Sequence, residues 1–296
     1  MTDATIKEEF PSFVCLELHR EGGTIWVSMN RPKVKNALNR KMIEELEILV
    51  NQLQSRLDIR VLVLRGSGGH FCAGGDVKEM FLAKHAEQKE GEQDPIAVLN
   101  RLFGRIISTL YSLPQTLIVA VEGAAMGGGL GLVCVADVVV ATKKSIFRLP
   151  ETSLGIIPAQ ITPFLLDRIG LAKTRRLALT GMSLNGEQAA KEGLVDLCCE
   201  DRAEMDEEIR RLRRQMMRCA PMASRQTKKL ILDIGRSNVA QALDIGAELF
   251  AEAVRSDEGL EGISAFRENR PPRWSEEIWA DVGENYLKSM LENKSK

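Results

Sequence analysis

One arrangement, met twice along the chain, restricts the fold more than any other feature. A run of β-branched and apolar residues, "RVLVLRG" at 60–66, leads into the glycine-rich "GGHFCAGGD" at 68–76, and "TLIVAVEG" at 116–123 leads into "AAMGGGLGLVC" at 124–134. Unbroken apolar runs of this length suit strands buried on both faces, as in parallel sheets covered by helices. A glycine turn between such a strand and a helix exposes unpaired N–H groups at the positive end of the helix dipole. Glycine keeps side chains away from that backbone and tolerates positive φ. A third unit, "DVVVATKKSIFRLPE" at 137–151, adds another strand. The expectation is an α/β fold with two anion-accepting turns on strands that are neighbours in chain order.

Around these units the pattern is readable. Residues 13–30 alternate on either side of Glu21-Gly22-Gly23 and predict a β-hairpin. In "RKMIEELEILVNQLQS" (40–55), Met42, Leu46, Ile48, Leu49 and Leu53 recur at helical spacing. A helix is expected to begin near Asp76, and another to cover 99–114 and stop at Pro114. The charged stretch 83–95 reads as an exposed or mobile loop. From about residue 168 helices dominate, at 171–181, 185–194, 204–220, 222–234 and 239–256, with a further amphipathic helix at 275–296. A sheet-containing core is thus followed by a helical part.

Composition removes several function classes. The net charge is −1, from 40 basic and 41 acidic residues, so there is no global field to hold a polyanion, and nucleic acid is not expected as a partner. The six cysteines, Cys15, Cys72, Cys134, Cys198, Cys199 and Cys219, form no CxxC pair and have no histidines at metal-ligand spacing, so reduced thiols and no metal are expected. The N-terminus "MTDATIKEEF" has no apolar signal core, and no apolar run reaches membrane-spanning length. These readings predict a cytoplasmic protein with no membrane partner.

If the N–H groups of Gly75 and Gly128 converge, they form an oxyanion hole. Loss of one such donor costs on the order of 3 kcal/mol of transition-state stabilisation. The plain alternative is tight strand-to-helix packing. Nucleotide readings fit poorly: "GAAMGGGLG" lacks the Lys-Ser/Thr of a P-loop, and no GxGxxG follows the first strand.

Four ordered stretches, "NRPKVKNAL" (30–38), "HFCAGGDVKEM" (70–80), "GAAMGGGLGL" (123–132) and "LPETSLGIIP" (149–158), together resemble the enoyl-CoA hydratase/isomerase, or crotonase, superfamily, over roughly residues 13–274. The resemblance implies a core of repeated ββα units at 1–200 carrying the CoA and oxyanion sites, a helical trimerisation region at 201–274, and the extra helix at 275–296. It also implies a homotrimer or dimer of trimers, acyl-CoA thioester substrates, and no cofactor beyond the coenzyme A of the substrate. Gly75 and Gly128 map to the oxyanion amides. Backbone around Ala73 maps to the adenine contact, and Lys33, Lys35 and Lys78 are candidates for the CoA phosphates, each with a solvated surface lysine as its plain alternative. Phe266 and Arg267, in "FRENRPPRW", resemble the portion that reaches the CoA site.

Hydratases of the family commonly use two glutamates, one three positions after the middle glycine and one in the "PE" motif. The second is Glu151; the first position holds Gly131. Two acids suit water addition, one activating water and the other protonating Cα. A single base suffices to move a double bond, which by chemistry alone favours a Δ3,Δ2-enoyl-CoA isomerase. The longer run "LPETSLGIIPAQITPFLLDRIGLAKTRRLALTG" (149–181) instead resembles the isohexenylglutaconyl-CoA hydratases of acyclic terpene breakdown, a subgroup with glycine at this position. The expectation is a hydratase of a branched, glutaconyl-type enoyl-CoA with Glu151 as acid and base. The isomerase is the runner-up, and a non-catalytic acyl-CoA- or RNA-binding homologue the alternative of another class. Gly131 and Gln160 are candidate pocket residues, Asp76 and Asp137 are expected to cap or pair, and His70 and His85 read as bystanders.

Overall fold

A computed structural model describes residues 9–85, 91–234 and 238–275, and the chain divides into two compact units, one up to Ile209 and one from Arg210. Among the described residues the first holds nine strands: β1 (Leu16–Glu21), β2 (Thr24–Met29), β3 (Val61–Gly66), β4 (Thr116–Val121), β5 (Ala124–Met126), β6 (Val138–Thr142), β7 (Ile146–Arg148), β8 (Ser183–Asn185) and β9 (Leu197–Cys199). Its helices are α1 (Arg40–Gln54), α2 (Val77–Lys84), α3 (Pro95–Tyr111), α4 (Gly128–Cys134), α5 (Thr162–Thr180) and α6 (Gly186–Glu192). Helix α7 (Arg202–Arg218) crosses the division, and α8 (Pro221–Ile234), α9 (Val239–Arg255) and α10 (Asp257–Glu268) complete the second unit.

The six-stranded sheet has the order β1-β2-β3-β4-β6-β9 and a second, three-stranded sheet the order β5-β7-β8. The expected hairpin forms as the antiparallel β1–β2 pair, turning at Gly22 with φ +56°. Every pairing from β2 onward in the large sheet is parallel, and β3 pairs directly with β4. Both strands are buried nearly throughout, which explains their unbroken apolar runs. Helix α1 starts where the Asn39 side chain accepts the Met42 N–H, and it buries Met42, Ile43, Leu46, Leu49, Val50 and Leu53. Ile48, expected on that face, is instead 44% exposed.

Several boundaries differ from the sequence reading. The second glycine turn is not fed by β4: the chain first crosses into the other sheet as β5, and the unit at 137–151 splits into β6 and β7. The 83–95 stretch is helical to Lys84, and α3 already begins at Pro95, because the Asp94 side chain accepts the N–H groups of Ile96 and Ala97. Residues 86–90 lie outside the described residues, as does 276–296, which holds nearly all of the expected terminal helix. Helix α10 was not expected. Ser256 caps it by accepting the Gly259 N–H, and Gly262 leaves room for the Trp274 ring, 3.1 Å from where a Cβ would stand.

Candidate active site

The loop 30–38 is fixed to the first turn before any ligand is considered. Buried Asn36, at φ +56°, donates to the carbonyls of Ser67 and His70 (2.9 and 2.7 Å) and accepts the Arg31 N–H. Leu38 donates to Gly74 O (2.8 Å) and accepts from Asp76 N (2.9 Å), so it bridges across Gly75. The two turns are then laced together: Cys72 N donates to Ala124 O and Met126 N to Cys72 O. Gly74 has φ +100°, and a Cβ there would lie 2.9 Å from Met126 O and 3.6 Å from Gly128 N. Gly127, at φ +50°, donates to Arg148 O, and Gly128 opens α4.

Among the described residues neither Gly75 N–H nor Gly128 N–H donates to an acceptor. Both glycines line one cavity of about 700 Å³, together with Ala73, Glu151 and Gln160. Glu151 begins a short 3₁₀ turn that Gly155 closes at φ +74°. The residue is only 9% exposed. One oxygen, Oε1, lies 3.0 Å from where a Gly127 Cβ would be, and the other, Oε2, is buried without a hydrogen-bond partner. Burial therefore pushes this carboxyl above the usual carboxylate range. Of the other acids on the cavity wall, Asp76 is paired with Arg31 at 3.0 Å and Asp94 is held by the start of α3.

Gly131 is buried in α4, and a Cβ there would lie 3.1 Å from both Phe103 Cζ and Ile161 Cγ1. Those two side chains line the cavity and occupy the space that an acid at position 131 would need. Lys35 is exposed at φ +50° and its carbonyl accepts the Ala73 N–H, which sets it beside the cavity wall. Lys33 and Lys78 are exposed, on the 3₁₀ turn Pro32–Val34 and the first turn of α2. Phe266 and Arg267 belong to α10 in the second unit. Asp76 accepts the Lys78 N–H and Asp137 accepts the Leu117 N–H. The His70 ring accepts the Ala124 N–H, and His85, exposed after α2, sits against Phe81 O. Phe103 and Asn100, both on the cavity wall, escaped the sequence reading, because an amphipathic helix carries no mark of which of its residues outside the core face a cavity.

Two undonated amides and one desolvated carboxylate around a cavity can stabilise an oxygen that gains negative charge while a proton moves. The parallel sheet and its side sheet are the crotonase fold, shared with solved enoyl-CoA hydratases. Residues 19–277 match the family described as enoyl-CoA hydratase/isomerase, and the chain belongs to that family. An enoyl-CoA hydratase/isomerase from Marinobacter aquaeolei is 42% identical, with a TM-score of 0.86 over 88% of this chain and 99% of that one. Pseudomonas aeruginosa AtuE is 41% identical, with a TM-score of 0.85 over 89% of this chain and all of that one. The mitochondrial methylglutaconyl-CoA hydratase of Mus musculus is 32% identical over 260 residues, 86% of this chain and 80% of that protein.

Proposed function

We propose that this protein adds water across the 2,3 double bond of a branched, glutaconyl-type enoyl-CoA, with Glu151 as both base and acid. The observation that carries the reading is the buried Glu151 carboxylate, with one oxygen against Gly127 and the other unpartnered, on the cavity that Gly75 and Gly128 also line. Glu151 takes a proton from water as the water oxygen attacks C3 of the acyl chain. The electron pair of the double bond moves through C2 to the thioester oxygen, which the Gly75 and Gly128 amides stabilise as an enolate. Protonated Glu151 then returns a proton to C2, so atoms and charge balance around one side chain. A carboxyl with a raised pKa suits both halves of this cycle.

Support for the branched substrate comes from the likeness to a methylglutaconyl-CoA hydratase and from the run 149–181. The CoA moiety is assigned to Ala73, Lys33, Lys35 and Lys78. Exposed Leu243, Phe250, Leu260 and Phe266 on α9 and α10 support the homotrimer or dimer of trimers. A cytoplasmic compartment completes the proposal, supported by six free thiols; among the described residues no helix is long and apolar enough to cross a membrane.

The single carboxylate also favours a second reading, the Δ3,Δ2-enoyl-CoA isomerase, since Phe103 and Ile161 fill the place of a second acid. Incubation with crotonyl-CoA, a 3-enoyl-CoA and 3-methylglutaconyl-CoA, followed by product mass, separates the two. A gain of one water is expected for the branched thioester. An unchanged mass with a shifted double bond establishes isomerisation, and tight binding without turnover a binding protein.

A further inference from the structure

Two main-chain bonds bracket Gly75, from Leu38 N–H to Gly74 O at 2.8 Å and from Asp76 N–H to Leu38 O at 2.9 Å, and one side chain grips both sides of the bracket. Arg31 Nη1 donates to Ala37 O at 2.5 Å, and its Nη2 donates to Asp76 Oδ2 at 3.0 Å. The arginine's own backbone is fixed by Asn36, whose Oδ1 accepts the Arg31 N–H at 2.8 Å and whose N–H donates to Arg31 O at 3.0 Å. The guanidinium is therefore aimed before any ligand arrives. The other Asp76 oxygen, Oδ1, accepts the Lys78 N–H at 3.1 Å, so the carboxylate is held on both sides.

The charge of Asp76 gives this grip a meaning beyond packing. Asp76 lines the cavity directly after Gly75, and its side chain is 13% exposed, so water screens it poorly. A bare carboxylate there opposes negative charge gathering on an oxygen held by the Gly75 N–H. Among the described residues Lys84 is the only cation on the cavity wall, and it stands at the far end of the eight-residue α2, about 12 Å along the helix axis. Arg31 is in direct contact with Asp76, and a guanidinium keeps its charge at every physiological pH. We propose that Arg31 is a positioning residue for the oxyanion site, which neutralises Asp76 and fixes the peptides on either side of Gly75. The Gly75 amide then meets a developing enolate free of net negative charge from its own turn. The inference rests on the acyl-CoA reading and adds to it a residue outside the cavity lining.

The probe is acetoacetyl-CoA, which has no 2,3 double bond to hydrate and which loses a C2 proton to give an enolate that shares its charge with the thioester oxygen. The enolate-to-keto ratio of the bound thioester is read on the full chain at fixed pH, from the ultraviolet band of the enolate. Arg31→Ala is expected to lower that ratio about tenfold, the scale of one unit charge acting across a partly screened site. Arg31→Lys, which keeps the charge, retains most of it. The bond to Ala37 is lost equally in Arg31→Ala and in the double variant Arg31→Ala with Asp76→Asn, so the difference between these two reads charge alone. The double variant is expected to recover most of the loss. Asp76→Asn by itself keeps a side-chain oxygen for the Lys78 N–H and should raise the ratio above native, a result that does not depend on any Arg31 variant folding. A ratio untouched by Arg31→Ala, a double variant no better than Arg31→Ala, or an Asp76→Asn ratio below native would overturn the assignment. Because acetoacetyl-CoA is not hydrated, a failure to hydrate enoyl-CoA strikes the catalytic reading and leaves this measurement intact; a native protein that binds the probe without enriching its enolate overturns the oxyanion pair and this role of Arg31 together.

Discussion

The turn after β3 and the turn before α4 each bring one undonated glycine N–H to the cavity, and they differ in what surrounds it. In the first, Gly74 is held at φ +100° with the Met126 carbonyl 2.9 Å from its would-be Cβ, whereas a Cβ on Gly75 meets only the Met80 methyl at 2.6 Å. In the second, Gly127 is held at φ +50°, a Cβ on Gly129 would overlap Cys72 O and lie 2.8 Å from Cys72 Cβ, and one on Gly128 meets Leu38 and Phe103 side chains at 3.0 and 3.4 Å. In both turns the amide that serves the cavity sits among side chains, whereas Gly74 and Gly129 press on backbone and Gly127 is held by its positive φ, facing the Glu151 carboxylate. Backbone cannot move aside, but a methionine terminus can. Gly74, Gly127 and Gly129 are therefore demanded by the fold, while Gly75 and Gly128 are free to be judged by chemistry. Only the second turn adjoins the carboxylate, through Gly127.

The largest expected effect falls on that asymmetry. Glu151→Gln removes the group that moves the proton and leaves both turns in place, so kcat for hydration should drop by on the order of 10²–10⁴; full activity in the variant would end the role given to Glu151. Next comes the amide itself. Gly128 is the first residue of α4, a position where proline is tolerated, so Gly128→Pro deletes one N–H with little change of backbone. Its steady-state rate should fall about 10²–10³-fold, and a rate within a few-fold of native would remove this amide from the oxyanion site.

Stability should separate the neighbouring glycines. Gly129→Ala forces a methyl into the Cys72 backbone and is expected to cost about 1–3 kcal/mol in denaturant unfolding. Gly75→Ala only displaces Met80 and should cost less than about 1 kcal/mol. Equal losses would break the distinction drawn between the two kinds of glycine. The smallest effect concerns pH. Burial raises the Glu151 pKa in the folded state, so ionising this group as pH rises through the folded value costs stability that is present below the unfolded value. Glu151→Gln should accordingly raise Tm relative to native at pH 7 and lose that advantage near pH 4.

Much of this arrangement was legible from residues alone. The parallel strands follow from apolar runs too long for a one-sided sheet, the turns from glycines whose φ values no other residue adopts cheaply, and Glu151 from its motif. What was not legible depends on distant elements meeting. Phe103 fills the space beside Gly131 from 28 residues upstream, and its letter reads as one more apolar position of α3. Gln160 is seated against α3 because Gly104 has no Cβ to block it, and in the sequence that glycine merely weakens a helix. The crossing of the chain into a second sheet at β5 leaves no local mark, because Glu122 and Gly123 read equally well as the end of one strand. Helix α10 was hidden by Gly259 and Gly262, whose reasons are a crowded carbonyl of Ala253 and the Trp274 ring.

The convergence of both amides on one thioester oxygen can be read without turnover. Binding of a thioester labelled with carbon-13 at its carbonyl, followed by isotope-edited infrared difference spectroscopy, reports the polarisation of that bond directly. The expected result is a shift of the carbonyl band to lower wavenumber on binding, reduced in Gly128→Pro. A band that stays at its solution position in the bound complex would contradict the account.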